Sequence, residues 1–99
     1  MTTLVLETDP AAADVHVDAN TLTVTLEDGR QLRVPLAWYP RLAAGSEAER
    51  DNWELLGEGY AIEWADLDEH IGIEGLLAGR KSQESQASFE KWLGAREVG

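Results

Sequence analysis

Between Ala61 and Ile71 the sequence reads AIEWADLDEHI, which places Glu63, Asp66, Asp68, Glu69 and His70 within eleven residues. Carboxylates at that density can hold a hard cation through oxygen. Beside an imidazole they can also exchange protons with a substrate. The spacing fits neither chemistry well. There is no glycine-centred calcium loop with a closing bidentate glutamate, and the only other histidine, His16, lies far upstream. A transition-metal site needs three or four convergent ligands, and this stretch does not supply them. The alternative is architectural: Asp68 and Glu69 cap a following short helix by accepting its free N–H groups. No catalytic residue, metal ligand or cofactor site is therefore expected.

A second candidate is PLAWYPRL, residues 35–42. Tyr39 and Arg41 are residue types that anchor protein interfaces, so they form a possible recognition patch. In the competing reading, Trp38 and Leu42 pack in the core while Arg41 pairs with an acid such as Asp68. A third candidate is the terminal stretch SQESQASFEKWLGAR. Phe89, Trp92 and Leu93 stand at i, i+3 and i+4 and share one helical face, which needs cover from the domain itself or from another chain. The serines there, Ser82, Ser85 and Ser88, have no histidine or Gly-x-Ser-x-Gly context. GEGYAIEW lacks the lysine and spacing of a phosphate loop. An enzyme is not expected.

The elements that position these residues follow from length and pattern. Ninety-nine residues make one domain, and 43% apolar content is enough for a core. Cysteine is absent, which excludes disulfides, thiol catalysis and cysteine-ligated zinc. MTTLVLETDP has no basic segment, and no apolar run approaches the span of a bilayer, so a cytoplasmic protein is expected. The formal charge is −11, from 19 acids and 8 bases. Residues 1–79 carry 16 acids and four arginines; residues 80–99 carry three acids and Arg80, Lys81, Lys91 and Arg96. Such a body repels phosphate, so neither direct nucleic-acid binding nor an anionic membrane is expected, whereas a basic protein is attracted.

Apolar residues alternate at Val15 and Val17, at Leu22, Val24 and Leu26, and at Leu32, Val34 and Leu36. This period of two predicts three strands in an antiparallel meander. A three-residue EDG loop with Gly29 in the left-handed region sets Leu26 against Arg30, Val24 against Leu32 and Leu22 against Val34. A turn near Asn20 sets Val17 against Leu22 and Val15 against Val24. Pro35 ends the third strand, and Pro40 opens a helical turn. Ser46 with Glu49 is a capping box that starts a helix over about 47–53. WELLG at 53–57 pairs with Tyr60–Trp64 as a hairpin turning through Gly57 and Gly59. Ile71, Ile73, Leu76 and Leu77 close the core in a short helix or turn that Gly79 stops. Ser82 is the expected N-cap of the last helix.

PLAWYPRL, Trp53, GEGYAIEW, LDEHI and GLLAG, taken in order, resemble the small bacterial domain-of-unknown-function 2442 family. Its members share an apolar-Tyr/Phe-Pro-Arg-Leu segment, a tryptophan some ten residues on, an Ile-x-Trp-x-x-Leu-Asp-Glu block and a Leu-Leu close. A tail with Ser82, Glu84, Ser85, Ser88, Phe89, Trp92 and Leu93 also recurs, so the likeness spans about residues 12–94. The resemblance implies a compact α+β domain. It also implies a non-catalytic antitoxin-like role beside a small toxin-like partner encoded nearby. Some relatives append a helix-turn-helix domain; the twenty residues after Gly79 are too few for one.

The expected protein is thus α+β: an N-terminal three-stranded meander, a short helix, a further hairpin and a C-terminal amphipathic helix. Residues 1–79 form the compact domain; residues 80–99 form a linker and a helix packed on the domain or on a partner. The expected function is a protein-binding module that neutralises a small basic partner through Tyr39, Arg41, Phe89, Trp92 and Leu93. The alternative is a homodimeric adaptor domain, with a metal-dependent enzyme behind both.

Overall fold

The structure is a computed structural model that describes residues 11–98. The first ten residues of the expected 1–79 domain lie outside the described residues, as does Gly99. The element order is β1 (Ala12–Val17), β2 (Thr21–Leu26), β3 (Gln31–Pro35), α1 (Pro40–Ala44), α2 (Glu47–Asp51), β4 (Glu54–Leu56), β5 (Ala61–Trp64), β6 (Glu69–Gly72), α3 (Ile73–Leu77) and α4 (Gln86–Val98). Two antiparallel sheets result, β1-β2-β3 and β4-β5-β6.

The meander has the register that its alternation and turns require. Val15 faces Val24 and Val17 faces Leu22. Leu22 also faces Val34, and Val24 faces Leu32. Leu26 N donates to Arg30 O at 2.8 Å across the EDG loop, where Gly29 takes φ +95°. A one-residue slip would turn every valine and leucine of this sheet toward water. Leu22 and Val24 are fully buried and Leu26 nearly so. Each such side chain contributes about 1.5–3 kcal/mol relative to exposure.

The capping box forms as expected. Ser46 Oγ accepts from Glu49 N at 3.1 Å, and Glu49 Oε1 accepts from Ser46 N at 2.9 Å. The helix it starts stops at Asp51, two residues earlier than the pattern predicts. β4 then pairs with β5, Leu55 facing Ile62. Trp64 is fully buried and donates Nε1–H to Arg50 O at 3.0 Å, so its one polar atom is satisfied inside the core. Both sheets, with Leu36, Tyr39, Leu42, Leu67, Ile73 and Leu76, close around a single core.

Two sequence expectations are corrected here. Asp68 and Glu69 cap no helix: Asp68 ends a 3-10 turn over Ala65–Leu67 in the left-handed region at φ +52°. Glu69 opens β6, and α3 starts after Gly72 with no side-chain cap. The strand prevails because Ile71 pairs with Ile62 and completes the second sheet. Nor is Ser82 the cap of α4. Ser85 is, its Oγ accepting from Ser88 N at 3.1 Å and its carbonyl from Phe89 N at 3.0 Å. Ser82 N instead donates to Trp38 O at 3.0 Å and pins the linker to the body.

Candidate functional site

Three of the polar residues named from the sequence, Asp68, Glu84 and Ser88, meet around Arg41. The second residue of α1, Arg41 follows a proline with preset φ at the helix start. Leu42 beside it is fully buried, which fixes the direction in which the guanidinium leaves the helix. Nε donates to Glu84 Oε1 at 2.9 Å and to Oε2 at 3.0 Å, and Nη2 also donates to Oε2. Nη1 donates to Asp68 O at 2.9 Å and to Asp68 Oδ2 at 3.2 Å. The guanidinium carbon stands 5.0 Å from the Trp92 ring centre, within range of a cation–π contact. Ser88 Oγ donates to Glu84 Oε2 at 2.8 Å.

Arg41 thus ties together α1, the turn before β6, the linker and α4. The side chains of Arg41 and Glu84 are only 16% and 11% exposed, whereas that of Asp68 is 89% exposed. The Glu84 pair therefore carries most of the interaction, and the Asp68 carboxylate little. Hydrogen bonding to Arg41 holds the Glu84 carboxyl below the usual glutamate range, and the same bond raises the Arg41 pKa. The left-handed Asp68 also has a purpose in this arrangement: its carbonyl accepts from Arg41.

A second clamp lies further along α4. Arg96 Nη2 donates to Glu49 Oε1 at 2.7 Å and Nη1 to Asp66 O at 3.3 Å. Its guanidinium carbon is 4.8 Å from the same Trp92 ring. Bonding to Arg96, and then to the Ser46 backbone, lowers the Glu49 pKa from 4.5 to about 2. Phe89 stacks on Trp92 with ring centres 5.8 Å apart.

Of the five sequence-predicted contact residues, Tyr39 departs furthest from a surface anchor. It is 4% exposed, and its hydroxyl donates to Arg80 O at 2.8 Å. The ring belongs to the core because the turn after Leu36 folds it inward, and burial raises the phenol pKa. Arg41 is consumed in intrachain bonds, as the ion-pair reading requires, with Glu84 joining Asp68 as partner. Trp92 packs on the domain's own core, so α4 lies on the domain. Phe89 and Leu93 stay half-buried. Glu84 and Arg96 were missed as structural partners; the one signal for Glu84 was its place in the tail motif, 43 residues from Arg41.

The AIEWADLDEHI carboxylates disperse. Glu63 and His70 point off the outer face of the second sheet, while Glu69 stands opposite Trp64 on the inner row. Burial there raises the Glu69 pKa. Among the described residues no group of three histidines or carboxylates is placed to hold a metal ion. A shallow depression of about 460 Å³ lies over Arg41, Glu69, His70, Ser82 and Glu84. Of its lining, Arg41, Asp68, Glu84 and Ser88 already bond one another.

Fold and site together define a small two-sheet α+β domain whose C-terminal helix is clamped by arginines. The chain belongs to the DUF2442 family, described as a protein of unknown function, which matches residues 12–82. The match ends before Glu84, so the α4 half of the Arg41 network lies beyond it. The chain is also similar to the crystal structure of a protein of unknown function from Rhodospirillum rubrum. That likeness has 28% identity and a TM-score of 0.67, and it covers 83% of this chain and 99% of that one. No curated protein matches. No helix among the described residues is long and apolar enough to cross a membrane.

Proposed function

We propose that this protein is a non-catalytic, antitoxin-like binding module of the cytoplasm that neutralises a small basic protein encoded nearby by covering its surface. One observation carries the reading: the chain has a net charge of −11, with 19 acids against 8 bases. Arg41 and Arg96 are spent on Glu84, Asp68 and Glu49, and Arg30 on its neighbour Asp28. Among the described residues exposed carboxylates outnumber the exposed bases, Arg33, Arg80, Lys81 and Lys91 among them, and that balance steers a cationic protein and repels nucleic acid and anionic lipid. Half-buried Phe89 and Leu93 supply the apolar part of a contact.

The test is co-expression with the product of the adjacent gene, followed by size-exclusion chromatography with light scattering and a growth-rescue assay. A monomer that becomes a heteromer and restores growth supports the reading. A stable dimer indifferent to that product refutes it, and favours the homodimeric adaptor joined through the apolar surface of Phe89 and Leu93.

A further inference from the structure

The negative charge is concentrated in one part of the fold. Residues 47–74 hold ten acids and a single arginine, Arg50, and they build α2 and the whole second sheet. One face of that sheet, with Leu55, Ile62 and Ile71 in register, packs on the core. The other face carries the row Glu54, Glu63 and His70 and the row Leu56, Ala61 and Gly72. Glu54, His70 and Gly72 are exposed, and no atom lies within 4 Å of where a Cβ on Gly72 would stand. α4 is held elsewhere, by Arg96 on Glu49 and the Asp66 carbonyl and by Trp92 against Arg41.

Glu54 and Glu63 stand directly opposite each other, and among the described residues neither has an ion-pair partner. Like charges in that relation destabilise a strand pair. Beside them is a depression of about 240 Å³ lined by Asn52, Trp53, Glu54, Glu63 and Ala65. Two carboxylates and an amide suit a guanidinium, whose edges donate to carboxylate and amide oxygens.

We propose that the outer face of the β4-β5-β6 sheet docks an arginine-bearing segment of a basic protein, with the arginine seated between Glu54 and Glu63 beside Asn52. This rests on the binding-module reading and adds to its Phe89–Leu93 contact a second, charged surface. Charge complementarity selects the occupant. A second copy of this chain would bring a net charge of −11 to an acidic face, so a net basic protein is the favoured occupant.

The test is an NMR titration of the full chain with a capped alanine peptide carrying two arginines, at low salt and up to about 10 mM. The same peptide with citrulline, a neutral isostere, is the control. Saturable shifts at Trp53, Glu54, Glu63 and Ala65, absent with citrulline, are expected. The double variant E54Q/E63Q should bind about tenfold more weakly and melt higher, because its mutual repulsion is gone. E47Q/E74Q, which removes equal charge elsewhere, should change affinity less than about twofold. The proposal is overturned by the absence of saturable shifts, shifts scattered over all acidic positions, equal losses in the two variants, or a lower melting temperature for E54Q/E63Q. None of those results alters the co-expression outcome, so the surface and the binding-module reading fail separately.

Discussion

Arg41 and Glu84, 43 residues apart, meet side by side, with Nε and Nη2 of the guanidinium on one carboxylate. The pair is largely shielded from water, so its geometry matters more than that of a surface bridge. Arg41→Ala strands Glu84 in a poorly hydrated place and should cost about 2–4 kcal/mol. Arg41→Lys keeps the charge but loses the fork, and should cost about 1–2 kcal/mol. A double-mutant cycle with Glu84→Gln, read by urea unfolding, should give a coupling of about 1–3 kcal/mol. A coupling near zero would show that the pair is ornamental.

Removal of residues 81–99 should leave a folded domain. Every fully buried side chain among the described residues lies between Ala11 and Leu76, and α4 contributes only the half-covered Trp92 to that core. The truncated chain should therefore keep a cooperative transition, with a lower melting temperature because the Arg41 and Arg96 clamps are lost. It should also lose the affinity for the basic partner supplied by Phe89 and Leu93. Circular dichroism melting and co-purification with the adjacent gene product measure the two effects. Loss of the transition would make α4 part of the folding core.

The parts of the fold legible in the sequence were those set by short-range rules. Val24 between Val15 and Leu32 follows from alternation plus two turns, and Ser46 with Glu49 needs only three residues of context. β6 was not legible. Its four residues, Glu69–Gly72, include one buried apolar side chain, Ile71, and their strand character comes from pairing with β5, a tertiary effect. The site was half legible. An arginine among acids demands a partner, and Asp68 was available in the nearby LDEHI block. Glu84 was visible only as a letter in a tail motif, because nothing local says that a linker glutamate will return to α1. Tyr39 looked like an anchor because composition cannot tell an interface tyrosine from a core tyrosine with a backbone acceptor.

The clamps on α4 should be sensitive to acid. Glu49 is held down to about 2, and Glu84 is also depressed, each by an arginine. A carboxylate with a lowered folded-state pKa stabilises the fold above its ordinary value, here 4.5, and loses that contribution as pH falls through the folded value. Glu69, raised by burial, acts in the opposite sense: its neutral form suits the fold, and its contribution is lost as pH rises. Between pH 4.5 and about 2, α4 should therefore loosen while the sheets persist. Amide exchange in α4 should accelerate relative to β2 over that window. Glu49→Gln should remove part of the dependence, and Glu69→Gln should stabilise at neutral pH with a gain that fades in acid.

Two glycines should respond to alanine in opposite directions. Gly59 has φ +98°, and a Cβ there would stand 2.5 Å from Ala12 O, a backbone atom of β1 that cannot step aside. The turn between β4 and β5 lies against the first sheet at this point, so relief requires moving one sheet away from the other. Strain from the left-handed backbone adds to the clash. Gly59→Ala should cost about 3 kcal/mol or more, at the severe end of single substitutions. Gly94 lies within α4, with nothing within 4 Å of its virtual Cβ. Alanine there removes unfolded-state freedom and adds no contact, so Gly94→Ala should stabilise the helix by about 0.5–1 kcal/mol. Because that gain belongs to α4 alone, it should appear as slower amide exchange in the helix, with little change in the exchange of β2. A Gly59→Ala protein with wild-type stability would mean that the two sheets do not touch at Ala12, and the single shared core would have to be redrawn.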